Sequence, residues 1–456
     1  MKKSLLFLLV LFVVSCKKEK KENKYYLKTT KKKIEASFNG QKFPFEIVTE
    51  DLYFPYTGKT NKIGFASAKD SVFFNLKPND SIPLTFVLNE KDSTSVLVIG
   101  RTNAVNFSEE YIQKNRGKYK VYSTKVHELV NIAIALTKIG EKDDNLIPKN
   151  SDYYKRVIEY FKPYKNHALI NTLNNHLIAV NDNATYNYYY NIKMNANMYS
   201  FERNKIVNKT PFNRMGFGEE DELKKIIHLL EDFSKDSKFS EFYNDNRDYY
   251  KSLIDTYYKL VPVDKMWKWI ENKFPVKYDS YKIYFSSLVG GAHSTQKYEN
   301  NGFSETLMFL NGPSLPEEYS EKEKEAILSR IVFTEIDHNY VDIITGRFPE
   351  LRLLLKPINC WYSGDFMGYK KSYKTFNEYM TWSVFTLYLY DNFDKEIFKK
   401  RNKEIEKFMT SKNRGFIKYK EFNQFVLNWY KNNPNVSFEK LYPEVINWIK
   451  KQNCKK

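Results

Sequence analysis

Cysteine is scarce in this chain of 456 residues: there are three, at positions 16, 360 and 454, and their spacing matches no structural zinc site. No Ser-His-Asp order, P-loop or dinucleotide-binding glycine pattern occurs, which sets those enzyme classes aside. An RNA-binding signature and zinc-finger spacing are also lacking. Beyond the first residues there is no apolar run of about 20 residues, so nothing later in the chain reads as a membrane span. Net charge is not lacking, at +18, but it is unevenly spread. The first residues carry +2 and the stretch Lys17 to Lys33, with nine lysines and two glutamates, carries +7. The rest of a long chain holds +9, which argues against nucleic acid as a partner.

The N-terminus is the most informative stretch for location. "MKKSLLFLLVLFVVSC" has Lys2 and Lys3, an apolar run from Leu5 to Val14, then Ser15 and Cys16. This is the layout of a secretory signal. Cys16 directly after V-V-S fits a lipobox, in which the new N-terminal cysteine is lipidated. Residues 1–15 therefore read as a lipoprotein signal peptide and 16–33 as a lysine-rich tether lying near anionic lipid. The expected location is the cell envelope, at the outer membrane, with the protein anchored to the bilayer rather than spanning it. Cys360 and Cys454 could pair in such an oxidising compartment; their spacing leaves this open.

From Ile34 to about residue 110 the chain reads as short strands, such as "IEASFNG", "SVFFNLK" and "TSVLVIG", separated by Asn39-Gly40, Pro78-Asn79-Asp80 and Gly100. A small antiparallel sandwich or barrel is expected there. The period then changes, and 119–456 reads as a mainly helical domain. Ser123 to Gly140 is expected to be one helix with a glycine stop. Two strands, Ser280 to Gly291 and Ser304 to Pro313, should flank a loop. A helix then begins at Ser320, which has capping-box spacing to Glu323.

That helix carries "RIVFTEIDHNYVD", with Thr334, Glu335, Ile336, Asp337 and His338 in the five positions of the zinc-protease pattern H-E-x-x-H. Wound at 3.6 residues per turn, Glu335 and His338 fall inside the apolar stripe, whereas Asp337 falls away from it, to face solvent or to stand behind the ligands. A carboxylate so placed must find a partner or change its pKa. A Glu and a His at i, i+3 also form ordinary helix pairs. Two features favour a site. "FNEYMTWSVFTLYLYDNF" puts Glu378 at the head of another apolar face, forty residues after His338, where zinc proteases of the Glu-ligand type carry their third ligand. Strand, loop, strand and motif helix also follow in the order that places an edge strand beside a metal cleft, with His293 in the lining loop.

The stretches "HELVNIAIALT", "YFKPYKNHALI", "LLEDFSKDSKFSEFYNDNRDYY", "YFSSLVGGAH", "TEIDHNYV" and "NEYMTWSVFTLYLYDN", over roughly residues 120 to 395, resemble an uncharacterised family of Bacteroidota lipoproteins. That family is a domain of unknown function whose helical region looks like a divergent zincin. Some members carry a fuller H-E-x-x-H. The resemblance implies Glu335 as catalytic base, with His338 and Glu378 as zinc ligands. Thr334 stands where a first histidine would, which leaves a three-ligand site one short. The run "NYVDIITG" after His338 also departs from the expected Asn-Pro.

The expected fold is therefore α+β: an N-terminal small β-sandwich or barrel, then a mainly helical zincin-like domain with a short sheet. Two functions follow. One is a divergent zinc metallopeptidase-like hydrolase, with the missing ligand drawn from His293, Glu128 or Asp337. The other is a catalytically inactive, zincin-like lipoprotein that binds a peptide or glycan in the old cleft, with Trp361, Trp382 and Tyr340 as contact surface.

Overall fold

The structure is a computed structural model that describes residues 25–48, 52–54, 60–78, 80–89, 92–101, 103–177, 183–218, 220–291, 293–313, 318–452 and 454. Cys16, the signal and the first part of the tether lie outside the described residues. The chain divides into two compact units, Met1–Asn103 and Ala104–Lys456.

Among the described residues of the N-terminal unit every element is a strand: β1 (Tyr25–Lys28), β2 (Lys33–Phe38), β3 (Gln41–Glu46), β4 (Leu52–Phe54), β5 (Asn61–Ala66), β6 (Ser71–Leu76), β7 (Ser81–Asn89) and β8 (Asp92–Gly100). They form two four-stranded sheets, ordered β1-β7-β8-β4 and β3-β2-β5-β6. Both sheets contribute to one apolar core, which includes Leu27, Phe65, Leu76, Leu84, Phe86 and Val98. Asn39 and Gly40, with φ of 50° and 88°, make the tight turn between β2 and β3 that this dipeptide favours. Two expectations need correction. The tether does not run to Lys33: Tyr25–Lys28 is already strand, because Leu27 is fully buried between exposed neighbours. The pairing is also not wholly antiparallel, since β1 joins β7 and β4 joins β8 in parallel.

In the second unit, β9 (Lys118–Tyr122), β12 (Ser280–Ser286), β13 (Ser294–Asn300) and β14 (Phe303–Asn311) make a sheet ordered β13-β14-β12-β9, while β10 (Tyr199–Glu202) and β11 (Lys205–Asn208) form a separate hairpin. Strand β12 is buried at every residue and pairs in parallel on both sides, as a central strand covered on two faces does. Strand β9 was not anticipated. The loop expected between the two later strands instead holds β13, which turns into β14 through Asn301-Gly302, both at positive φ. The early helix is shorter than expected and ends at Ala135; Thr137 caps a new short helix, Lys138–Lys142. Gly140 therefore does not stop a helix. It lies inside this one, where a Cβ would strike the Ile134 carbonyl oxygen at 2.0 Å.

The motif helix spans Glu321–Thr345, and its capping box from Ser320 to Glu323 is present. A partner helix spans Ser372–Asn392, followed by helices Lys395–Met409, Tyr419–Asn432 and Leu441–Lys450. These helices and one face of the sheet enclose one core; the early helix belongs to a second. Cys360 and Cys454 are joined as a disulfide, closing a span of 94 residues.

Candidate functional site

The motif and partner helices run antiparallel, as three levels of contact show. Phe333 stacks on Tyr388 with ring centroids 4.8 Å apart and meets Phe385 at 5.5 Å. One to two turns on, the His338 Nδ1 lies 3.5 Å from the Thr381 hydroxyl, and its Nε2 lies 3.5 Å from Glu378 Oε1. One turn further, the Asn377 amide donates to Asp342 Oδ1 at 2.5 Å. Apolar stripes thus close the lower part of the interface, and the polar residues carried in those stripes meet above it.

Glu335, His338 and Glu378 converge as the helical phase implies. Burial, with the Glu378 carboxylate nearby, raises the Glu335 carboxyl to about 7, while His338 pulls the other way. The Glu335 carboxyl has no hydrogen-bond or ion-pair partner among the described residues. Burial alone would depress His338, but Asp342, Glu378 and Glu335 outweigh it and raise the imidazole to about 10. His338 is therefore a cation at neutral pH, with 22% of its side chain exposed.

Three residues that the sequence did not single out complete the site. Arg414 donates to Glu378 Oε2 at 2.6 Å and to the Tyr369 hydroxyl at 3.1 Å. Its guanidinium lies over the rings of Tyr369, Trp382, Phe408 and Phe416. The indole of Trp382 also donates to Glu378 Oε2, at 3.2 Å. Arg414 comes from the turn after helix Lys395–Met409, held by Ser411 and followed by Gly415 at φ 75°. Only that glycine marks the turn in the sequence, and Arg414 lies 36 residues from Glu378, so the pairing was not legible there. Asp342 and Arg330 lie on the motif helix but outside the five-residue pattern.

Other expected site residues fall elsewhere. Asp337 is not turned to solvent: it is fully buried, because the helix is packed on that side too, and burial raises its carboxyl well above the usual range. Glu128 accepts from Tyr153 at 2.6 Å in the other core. Its electrostatic neighbours are Tyr153, Ser286 and Lys193, so it does not join His338. His293 is held neutral, at about 4, by burial and then by Arg330 and Arg414, and its Nε2 has no partner. Thr334 donates to the Ile331 carbonyl at 3.2 Å. Trp361 and Tyr340 are core residues and offer no contact surface; of the three aromatic residues expected there, only Trp382 touches the site.

These residues do not fit the implied zinc. His338 and Glu378 are close enough to share a metal, since two bonds of about 2 Å would span the gap. Thr334 does not supply a third donor, for its hydroxyl is turned to its own helix. The second oxygen of Glu378 is already held by a guanidinium, whose charge repels a metal dication. Among the described residues no three His, Cys, Asp or Glu side chains come together as a metal-holding group. In the N-terminal unit, a groove of about 910 Å³ is lined by Lys28, Lys31, Lys33, Lys42, Phe43 and Lys69, among others. Among its described lining residues there is no histidine and one carboxylate, Glu35, which is on Lys42 at 2.8 Å. No family model matches the chain, and no curated protein or solved structure is similar to it.

Proposed function

We propose that this is an exported, lipid-anchored protein of the cell envelope whose zincin-like cleft binds a peptide or glycan without a metal. The observation that carries this reading is the Arg414–Glu378 pair at 2.6 Å. It places a fixed positive charge on the carboxylate that a zinc ion would need. Binding in the cleft then rests on His338, Arg414 and Glu378, with Glu335 as a carboxyl that can give or take a proton near neutral pH. The direct test is the metal content of protein purified without chelator, with zinc titrated calorimetrically afterwards. The expected result is no stoichiometric zinc and no peptidase activity. One zinc per chain, lost in both His338→Ala and Glu378→Ala, would overturn it.

A metallopeptidase-like hydrolase is the second reading, supported by the 3.5 Å approach of His338 to Glu378 and by the partnerless Glu335. Thr334→His supplies the absent donor one turn before His338. If that substitution creates tight zinc binding, the cleft keeps the geometry of a metal site and has lost one ligand. For the anchor, Cys16→Ala should abolish incorporation of labelled palmitate and release the protein from membranes. Label retained by that variant would refute lipidation at Cys16.

A further inference from the structure

Arg330 is a partly buried guanidinium without a counter-charge. It lies over the Trp382 ring at 5.3 Å and the Phe408 ring at 5.7 Å, and among the described residues it makes no hydrogen bond or ion pair. Of the nearby carboxylates, Glu378 is engaged by Arg414 at 2.6 Å, Glu404 by Arg401 at 2.7 Å and Glu323 by Lys400 at 2.6 Å, while Glu335, though it feels Arg414, makes no ion pair with Arg330. Arg414 shares the same two rings, at 5.6 Å from each, and its Nε is buried without a partner. The ring centroids of Trp382 and Phe408 are 5.2 Å apart, so two like charges crowd one aromatic pair. His293 beside them is neutral and cancels nothing. A half-buried guanidinium with no counter-ion keeps its charge open, and its planar fork matches a carboxylate.

We propose that Arg330 anchors the free C-terminal carboxylate of a peptide through its planar fork, with the neighbouring positive charge of Arg414 adding to the attraction. This rests on the reading that the cleft binds a ligand. A peptide is favoured over an acidic sugar because Trp382 already carries two guanidinium groups, so no bare ring face is left for a sugar to stack on. The edge of Phe408, under Arg330, is instead apolar and 43% exposed. It suits an apolar side chain next to the carboxylate.

The test is calorimetric titration of the full chain with N-acetyl-Phe-Leu as the free acid, with the same compound as its C-terminal amide, and with trigalacturonate. The free acid should bind about tenfold or more tightly than the amide. Arg330→Gln should weaken the acid by a similar factor while leaving the near-UV circular dichroism unchanged. Arg330→Lys should restore part of the affinity, since it keeps the charge and loses the fork. Equal binding of acid and amide, or an unchanged affinity in Arg330→Gln, overturns the anchor. If that equal binding is lost in His338→Ala, the cleft reading survives without it. Binding of trigalacturonate alone overturns the peptide. If none of the three probes binds, both the anchor and the cleft reading fall.

Discussion

Glu335 is the residue whose chemistry is most open to measurement. Its carboxyl is raised to about 7 in the fold, against about 4.3 in an unfolded chain. The folded state therefore holds the proton more tightly. The stability this contributes is fully present below pH 4.3 and is lost as pH rises through 7. Glu335→Gln removes the titration. It should leave the melting temperature nearly unchanged at pH 4 and raise it at pH 8, by the equivalent of about 3–4 kcal/mol. Equal changes at both pH values would show that Glu335 titrates normally. Arg414 makes the opposite case. Arg414→Ala leaves the buried Glu378 with only His338 at 3.5 Å and the Trp382 indole as partners and should cost about 3 kcal/mol in urea unfolding at pH 7. A loss below about 1 kcal/mol would mean that the pair is effectively solvated.

The helices that carry these residues are set by different devices. The motif helix begins where it does because Ser320 and Glu323 satisfy each other's backbone N–H groups, at 3.3 Å and 3.2 Å. Ser320→Ala should cost about 1 kcal/mol and leave zinc or ligand behaviour untouched, since the cap is more than three turns from His338. The turn that presents Arg414 is held in another way. Gly415 lies at φ 75°, and a Cβ there would sit 2.3 Å from the Gly364 backbone N. Any side chain at 415 must push the two loops apart, so Gly415→Ala should mimic Arg414→Ala in stability. If the alanine variant unfolds as the wild type does, the turn is not what fixes Arg414.

Over the whole chain, the disulfide is the longest covalent tie, joining Cys360, just before the partner helix, to Cys454 near the C-terminus. Closing a loop of this length restricts the unfolded chain, and Cys360→Ser should cost about 2–4 kcal/mol. A reducing agent should lower the wild-type melting temperature to that of the variant and leave the variant unchanged. An oxidised cysteine pair also agrees with the exported location proposed from the N-terminus.

Much of the local order was legible because it rests on near-neighbour rules. Strand alternation from Ile34 onward, the Asn39-Gly40 turn, the Ser320 cap and the shared face of Glu335 and His338 all follow from backbone geometry and side-chain period. Other readings failed where a local rule met packing on more than one side. Asp337 leaves the apolar stripe of its own helix, yet other helices cover that face. Leu27 sits among lysines and still enters a core. Glu128, like Glu335, is a buried helix glutamate but belongs to a different cluster. The pairing of Glu378 with Arg414, and the open charge of Arg330, depend on a turn 36 residues away in sequence. No pattern in one segment records such a contact; it exists only once helix packing has removed water from both groups and left each to be neutralised by whatever the fold brings within reach.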